Sequence, residues 1–175
     1  LIEDSSTKSA VVQKAYNHHI SPEKVHSIYD DFDPLAQRLL DLVDAEGFRV
    51  WPLLDTDDIP HWFSHRTVLL GDAAHPLVPF GFSGAAMAIE DAVTLGVLMD
   101  VVDDQTELEN RLAFYETLRR PRVERVRQSG RMIGRGLESV EFLSEYRRFL
   151  EDYDAVQAAR DALQAHPTRR NSDGT

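Results

Sequence analysis

The hydrophobic positions change spacing along the chain, and each change marks an element. Ser21-Pro22 and Asp33-Pro34 each set a capping side chain before a proline. That pairing opens a helix, because the first helical N–H has no partner to lose. The helix after Pro22 is expected to bury Val25, Ile28, Tyr29 and Phe32; the one after Pro34, ending near Gly47, Leu35, Leu39, Leu42 and Val43. Phe48 to Leu54 reads as a strand at a sheet edge or one that stops at Pro52. Thr67 to Leu70 is a compact apolar run closed by Gly71-Asp72, expected as a buried strand of a sheet covered on both faces. Pro76, Pro79, Gly81 and Gly84 fall within nine residues and exclude regular structure there. Ala85 to Met99 is apolar almost all round, the pattern of a helix buried on most sides. A further helix is expected around Leu108 to Leu118, interrupted by Pro121. Beyond it Val123, Val126, Ile133, Leu137 and Val140 form an apolar stripe, with Arg127, Arg131 and Arg135 on the other face. His166 to Thr175 is polar and expected to be a disordered tail. The fold class is α/β, with a mainly helical second half.

Composition narrows the chemistry. The chain has 175 residues, of which 42% are hydrophobic and 28% charged, as in an ordinary globular protein. Its formal charge of −11 argues against nucleic acid or an anionic membrane as the main partner. There is no cysteine, which removes disulfide scaffolds, thiolate metal sites and cysteine nucleophiles. No apolar run reaches the about 18 residues a membrane-spanning helix needs. A cytoplasmic location is the accompanying expectation, and the start at Leu1 reads as a cut within a longer polypeptide.

The informative stretch is Thr67 to Ala92: strand, Gly-Asp, proline-glycine loop, helix. A glycine at a strand end admits close approach to the backbone, and Asp72 directly after it is a fixed acceptor suited to ligand hydroxyls. The helix beyond the loop aims its positive dipole end at whatever lies against Gly84 and Ala85. Pro79, Phe80 and Phe82 flank that position, which suits a flat, partly apolar ring with an anionic edge, such as a reduced flavin.

Gly71-Asp72-Ala73-Ala74-His75-Pro76, then Pro79, Gly81 and Gly84, then Ala88-Ile89-Glu90-Asp91-Ala92, resembles the second FAD-binding motif of the FAD-dependent aromatic hydroxylases, single-component flavoprotein monooxygenases similar to salicylate hydroxylase. Trp51-Pro52-Leu53, Tyr115-Glu116 and Arg119-Arg120-Pro121-Arg122 extend the match to roughly residues 25 to 140. The resemblance implies the C-terminal part of an FAD-binding monooxygenase fold: the end of a substrate-domain sheet, the last strand of the FAD domain, then mainly helix. It places residues 1 to 54 in the substrate domain and 55 to 165 in the FAD domain with a helical extension, leaving 166 to 175 as tail. It implies that Asp72 binds the ribityl chain of FAD, and that Gly71 and the segment Pro79, Phe80, Gly81, Phe82, Ser83, Gly84 and Ala85 line the cofactor. It further implies reduction by NAD(P)H, oxygen addition giving a flavin hydroperoxide, and hydroxylation of an aromatic or similarly electron-rich small molecule, with no catalytic side chain and no metal. Two departures stand out. Ser83-Gly84 replaces the family's Gln-Gly, and no G-x-G-x-x-G follows a strand, the only G-x-G being Gly134 and Gly136 in an arginine-rich helical stretch. The ADP-binding half is thus expected outside this sequence, as the partner that completes the enzyme.

Rival readings attach to the same residues. Gly81-Phe82-Ser83-Gly84-Ala85 lies close to the G-x-S-x-G elbow of serine hydrolases, with Ser83 as nucleophile, but only His166 follows it. A non-catalytic interaction module retaining the loop is the other alternative. His61 and His65 share the spacing of zinc-protease histidines without the glutamate, and packing or exposure is the expectation. His75 is expected to shape the loop. Seven arginines between Arg119 and Arg135 accompany one acid, Glu124, and are expected on a helix face paired with acidic neighbours. Trp51 and Phe48 either line a substrate pocket or fill the core.

Overall fold

The computed structural model describes residues 18–50, 53–100, 102 and 104–165. The chain divides into two compact units, residues 1–53 and 54–175. Trp51, Pro52 and the segment from His166 to Thr175 lie outside the described residues.

In the first unit both proline-led helices start where the capping residues put them. Helix α1 (Pro22–Ile28) begins with Ser21 Oγ accepting from Lys24 N–H at 3.3 Å. Helix α2 (Pro34–Leu40) begins with Asp33 Oδ1 accepting from Leu35 N–H at 2.8 Å. Strand β1 (His18–His19) pairs antiparallel with β2 (Arg49–Val50), His18 opposite Val50. The burial expected of these helices is not found, since only Val25 is buried while Ile28, Tyr29, Phe32, Leu35, Leu39, Leu42 and Val43 are exposed. The second helix ends at Leu40 and not near Gly47, and among the described residues nothing covers these apolar side chains.

The second unit is a hairpin followed by helices. Strand β3 (Phe63–Ser64) pairs antiparallel with β4 (Thr67–Val68), and Leu69 N–H donates to Trp62 O at 2.7 Å to extend the ladder. The Thr67 to Leu70 run is therefore not a buried strand covered on both faces: Thr67 and Leu70 are exposed, and among the described residues its only strand partner is β3. Helix α3 (Gly84–Leu98) buries Met87, Asp91, Thr94 and Leu98, one stripe at helical spacing. Its opposite stripe, Ala85, Ile89, Ala92 and Gly96, is exposed, which corrects the expectation of burial on most sides.

Helix α4 (Gln105–Ile133) starts with Asp104 Oδ1 accepting from Glu107 N–H at 2.8 Å and runs unbroken through Pro121. Pro121 costs the N–H that would bond Thr117 O. Both residues are on the exposed side, so that carbonyl is open to solvent, while fully buried Arg119 and Val123 hold the helix on its other side. Val123 and Val126 are buried as expected, whereas Leu137 and Val140 are exposed because the helix has already ended. Gly134 caps that end and Gly136, at φ +64°, turns the chain away, so the Gly-x-Gly lies at a helix terminus and not inside a helix. Helices α5 (Val140–Glu151) and α6 (Ala155–Ala165) follow, and α6 packs against α3 and α4. Trp62, Met87, Leu98, Tyr115, Val123, Val126, Tyr146 and Ala159 form the core.

Two helical glycines sit in opposite surroundings, and their substitution tests the packing. A Cβ on Gly130 would lie 3.0 Å from the Phe80 carbonyl oxygen, while one on Gly96 meets nothing within 4 Å. Gly96→Ala is expected to raise stability by about 0.5–1 kcal/mol, and Gly130→Ala to lower the melting temperature despite its better helix propensity; thermal unfolding of the two variants reads the difference.

Candidate functional site

The Gly-Asp motif is a closed turn. Gly71 adopts φ +55°, and a Cβ there would press within 3.2 Å of the Ala88 Cβ on α3. Only glycine takes this conformation at this approach without strain. The N–H groups of Ala74 and His75 both donate to Gly71 O at 2.9 Å, closing a short 3₁₀ turn over Gly71–Ala73. Gly71 N–H donates to Asp91 Oδ2 at 2.9 Å, and His75 Nε2 bonds the same oxygen at 2.6 Å. His75 is buried and shapes the loop as expected. Asp72, on the tip of this turn, is exposed and its carboxylate makes no hydrogen bond or ion pair among the described residues.

From Pro76 the chain crosses to α4 and back. Gly130 and Gly134, one helical turn apart, leave a shallow seat for Phe80: a Cβ on Gly134 would stand 2.4 Å from the Phe80 ring. Pro79 and Phe80 are exposed at their outer edges. Gly81, at φ +94°, and Phe82, at φ +54°, then turn the chain into α3, Phe82 N–H donating to Pro79 O at 3.2 Å. A left-handed phenylalanine is a strained residue, and this one is 94% exposed. Ser83 is buried, its hydroxyl donating to Gly81 O at 2.8 Å and lying 3.0 Å from Tyr146 Oη. A turn and not a strand precedes it, so the geometry of a nucleophile elbow is not met, and His166, the one histidine after Ser83, lies outside the described residues. Because that hydroxyl is engaged behind the loop, it makes no side-chain cap to α3, and the first N–H groups of the helix, at Gly84 and Ala85, have no capping side chain.

Behind the turn stands a buried polar network. Arg119 Nε donates to Asp91 Oδ1 at 2.7 Å, its Nη1 to Glu90 Oε2 at 2.6 Å and its Nη2 to Met87 O at 3.3 Å. Arg122 holds both oxygens of Glu90, at 2.6 and 2.7 Å, and packs over the Tyr153 ring at 3.9 Å. Arg120 pairs with Asp58 and Glu116, Arg131 with Asp55 and Asp57, and Arg127 with Glu124. Five of the seven arginines are therefore laced to acids, several of them from the 55–58 turn, but Arg119, Arg122 and Arg127 are buried, which corrects the expectation of a single polar face. Tyr115 Oη donates to Leu69 O at 3.2 Å, tying the end of the hairpin to α4. Sequence reasoning missed two parts of this site. The buried Asp91–Arg119 pair was visible only as Glu-Asp in one helix and Arg-Arg in another, and the Phe80 seat carried the signal Gly130-x-x-x-Gly134. His61 and His65 are exposed, and the described residues hold no cluster of three potential metal ligands.

Burial alone would push the Asp91 carboxyl up, but the bonds from His75, Arg119 and Gly71 N–H outweigh it and hold the group below the usual carboxylate range. A folded-state value below the unfolded one gives stability that is present above about pH 4 and is lost as pH falls through the lowered value. Arg119→Met leaves Asp91 buried without its cation, so its carboxyl is expected to rise from the value it has beside Arg119. The variant is expected to be less stable by about 3–5 kcal/mol near neutral pH, with the deficit narrowing toward pH 4, as read by denaturant unfolding at the two pH values.

The family model described as FAD binding domain matches residues 12–129. The 3-hydroxybenzoate 6-hydroxylase 2 of Aquipseudomonas alcaligenes is 38% identical over 144 residues, which is 78% of this chain and 44% of that protein. The FAD-dependent monooxygenase phomE of Diaporthe leptostromiformis is 45% identical over 78 residues, 45% of this chain and 21% of that one. The crystal structure of CtdE in complex with FAD and substrate 4 superposes with a TM-score of 0.70 at 20% identity, covering 86% of this chain and 39% of that one, a likeness of fold. The chain spans less than half the length of these relatives.

Proposed function

The chain belongs to the FAD binding domain family, and from that premise we propose that it is the C-terminal portion of an FAD-dependent monooxygenase that uses NAD(P)H and O2 to hydroxylate an aromatic or similarly electron-rich small molecule. The observation that carries the reading is Asp72: an exposed carboxylate without a partner, on a turn whose backbone is otherwise bonded in place. An ionised carboxylate only accepts, which suits the hydroxyls of a ribityl chain. The uncapped N–H groups at Gly84 and Ala85 donate, which suits the anionic edge of a reduced flavin. Phe80 and Phe82 offer exposed apolar surface between those two polar ends, so the residues present fit an FAD lying along Gly71, Asp72 and the Pro79 to Ala85 segment.

When bound, FAD supplies the redox and oxygen chemistry, and the protein orients and shields it. The chain's own tasks are narrower. Asp72 holds hydroxyls, the first turn of α3 meets negative charge, and the Phe80 seat on α4 fixes the loop between them. No G-x-G-x-x-G occurs in the sequence, and the relatives are more than twice as long as the matched stretch. Both facts support a further segment of the same enzyme as the partner that holds the ADP half of the cofactor. The name of the 3-hydroxybenzoate hydroxylase relative supports a hydroxylated aromatic acid as the first substrate class to assay.

The test is made on the full natural protein. It is expected to purify with FAD and to oxidise NAD(P)H faster when hydroxybenzoates are added. Asp72→Ala, which removes a charged acceptor, should weaken FAD binding about 10- to 100-fold. A flavin-free protein, or unchanged FAD content in the variant, overturns the assignment.

A further inference from the structure

We propose that Asp91 is a positioning residue of this site, acting on FAD through the direction it imposes on Asp72; the inference rests on the reading that Asp72 holds the cofactor. Asp91 is fully buried on α3 and touches no exposed surface. Its two oxygens divide their work. Oδ1 receives Arg119 Nε, which balances the charge and fixes the plane of the carboxylate. Oδ2 receives both ends of the Gly71–His75 turn, the Gly71 N–H at one end and His75 Nε2 at the other.

The tautomer follows from the same contacts. His75 Nδ1 is buried and has no hydrogen-bond partner, so the hydrogen sits on Nε2 and is donated to Asp91. The turn is thus closed twice, once through its backbone by His75 N–H to Gly71 O and once through Asp91 Oδ2. The residues left unbound at its tip are Asp72 and Ala73, both exposed.

A merely stabilising role does not account for this arrangement. Replacing a buried ion pair by apolar groups of similar volume is often neutral or favourable for stability. What an apolar residue cannot supply is a fixed acceptor for the Gly71 N–H. That bond holds the peptide entering Gly71 while the residue sits at φ +55°, a conformation that glycine can also leave at little cost. The orientation of the next residue, Asp72, depends on it. Asp91 therefore converts a permissive glycine into a single geometry and passes that geometry to the carboxylate that meets the ligand.

The experiment is a double-mutant cycle on the full natural protein, stripped of FAD and retitrated with FAD, using Asp72→Asn, Asp91→Asn and the two together. Asp91→Asn is expected to weaken FAD about tenfold when Asp72 is present and less than twofold when residue 72 is already Asn. Its loss of melting temperature should be the same in both backgrounds. A general structural role would give equal losses of affinity in the two backgrounds, and that result overturns the proposal. If Asp91→Asn does not fold, His75→Leu replaces it in the same cycle, since it removes the donor from one of the two Oδ2 bonds and leaves the Arg119 pair intact. Normal FAD binding by Asp72→Asn would defeat the reading of Asp72 itself, an outcome distinct from additivity.

Discussion

The second unit depends on one buried carboxylate finding enough donors. Asp91 has lost all contact with water, and such a group persists only if positive charge and hydrogen bonds replace its hydration. Arg119 supplies the charge, and Gly71 and His75 supply the directed bonds. These partners come from two places, the turn after the hairpin and helix α4, while Asp91 itself stands on α3, so satisfying one side chain fixes how those three elements meet. Arg119 is as deeply buried as Asp91 and also reaches Glu90, whose other ties run to Arg122 and through it to the Phe149 carbonyl at 2.9 Å. The polar network thus reaches α5.

The long helix α4 is the frame for these contacts. Its inward arginines serve α3, its flank at Arg120 and Arg131 binds the acidic 55–58 turn, and Glu116 Oε2 accepts from Trp62 N–H at 3.1 Å. Pro121 falls in the middle of that frame. It is tolerated because the bond it forfeits faces outward, and because the ion pairs on either side are anchored to other elements and not to the helix backbone. Along this helix Arg119, Arg120, Arg122, Arg127 and Arg131 are each matched by a nearby acid.

How much of this was readable beforehand depended on the kind of signal. Caps were legible, since Ser21 and Asp33 announce their helices by bonds made within three residues. The turns of the loop were legible too, because Gly71 and Gly81 take positive φ, a backbone requirement written as a residue type. What misled was burial inferred from apolar content. Ile28, Leu39, Ile89 and Leu70 are hydrophobic and exposed, since a periodic pattern says which face seeks a partner and not whether this chain contains one. Pro121 misled for the complementary reason: propensity argues for a break, and tertiary anchoring on both sides overrode it. The Asp91–Arg119 contact is separated by 28 positions, beyond any local rule.

The seat of Phe80 on Gly130 and Gly134 ties two stretches of sequence that are some fifty positions apart. The loop's aromatic residue and the helix's missing side chains are complementary shapes, so neither is free to vary alone. A loop exchanged with that of a relative would need the matching helix positions carried with it, and the path of the loop would be inherited from the helix as much as from its own residues. The unit of inheritance for this site is a pair of surfaces.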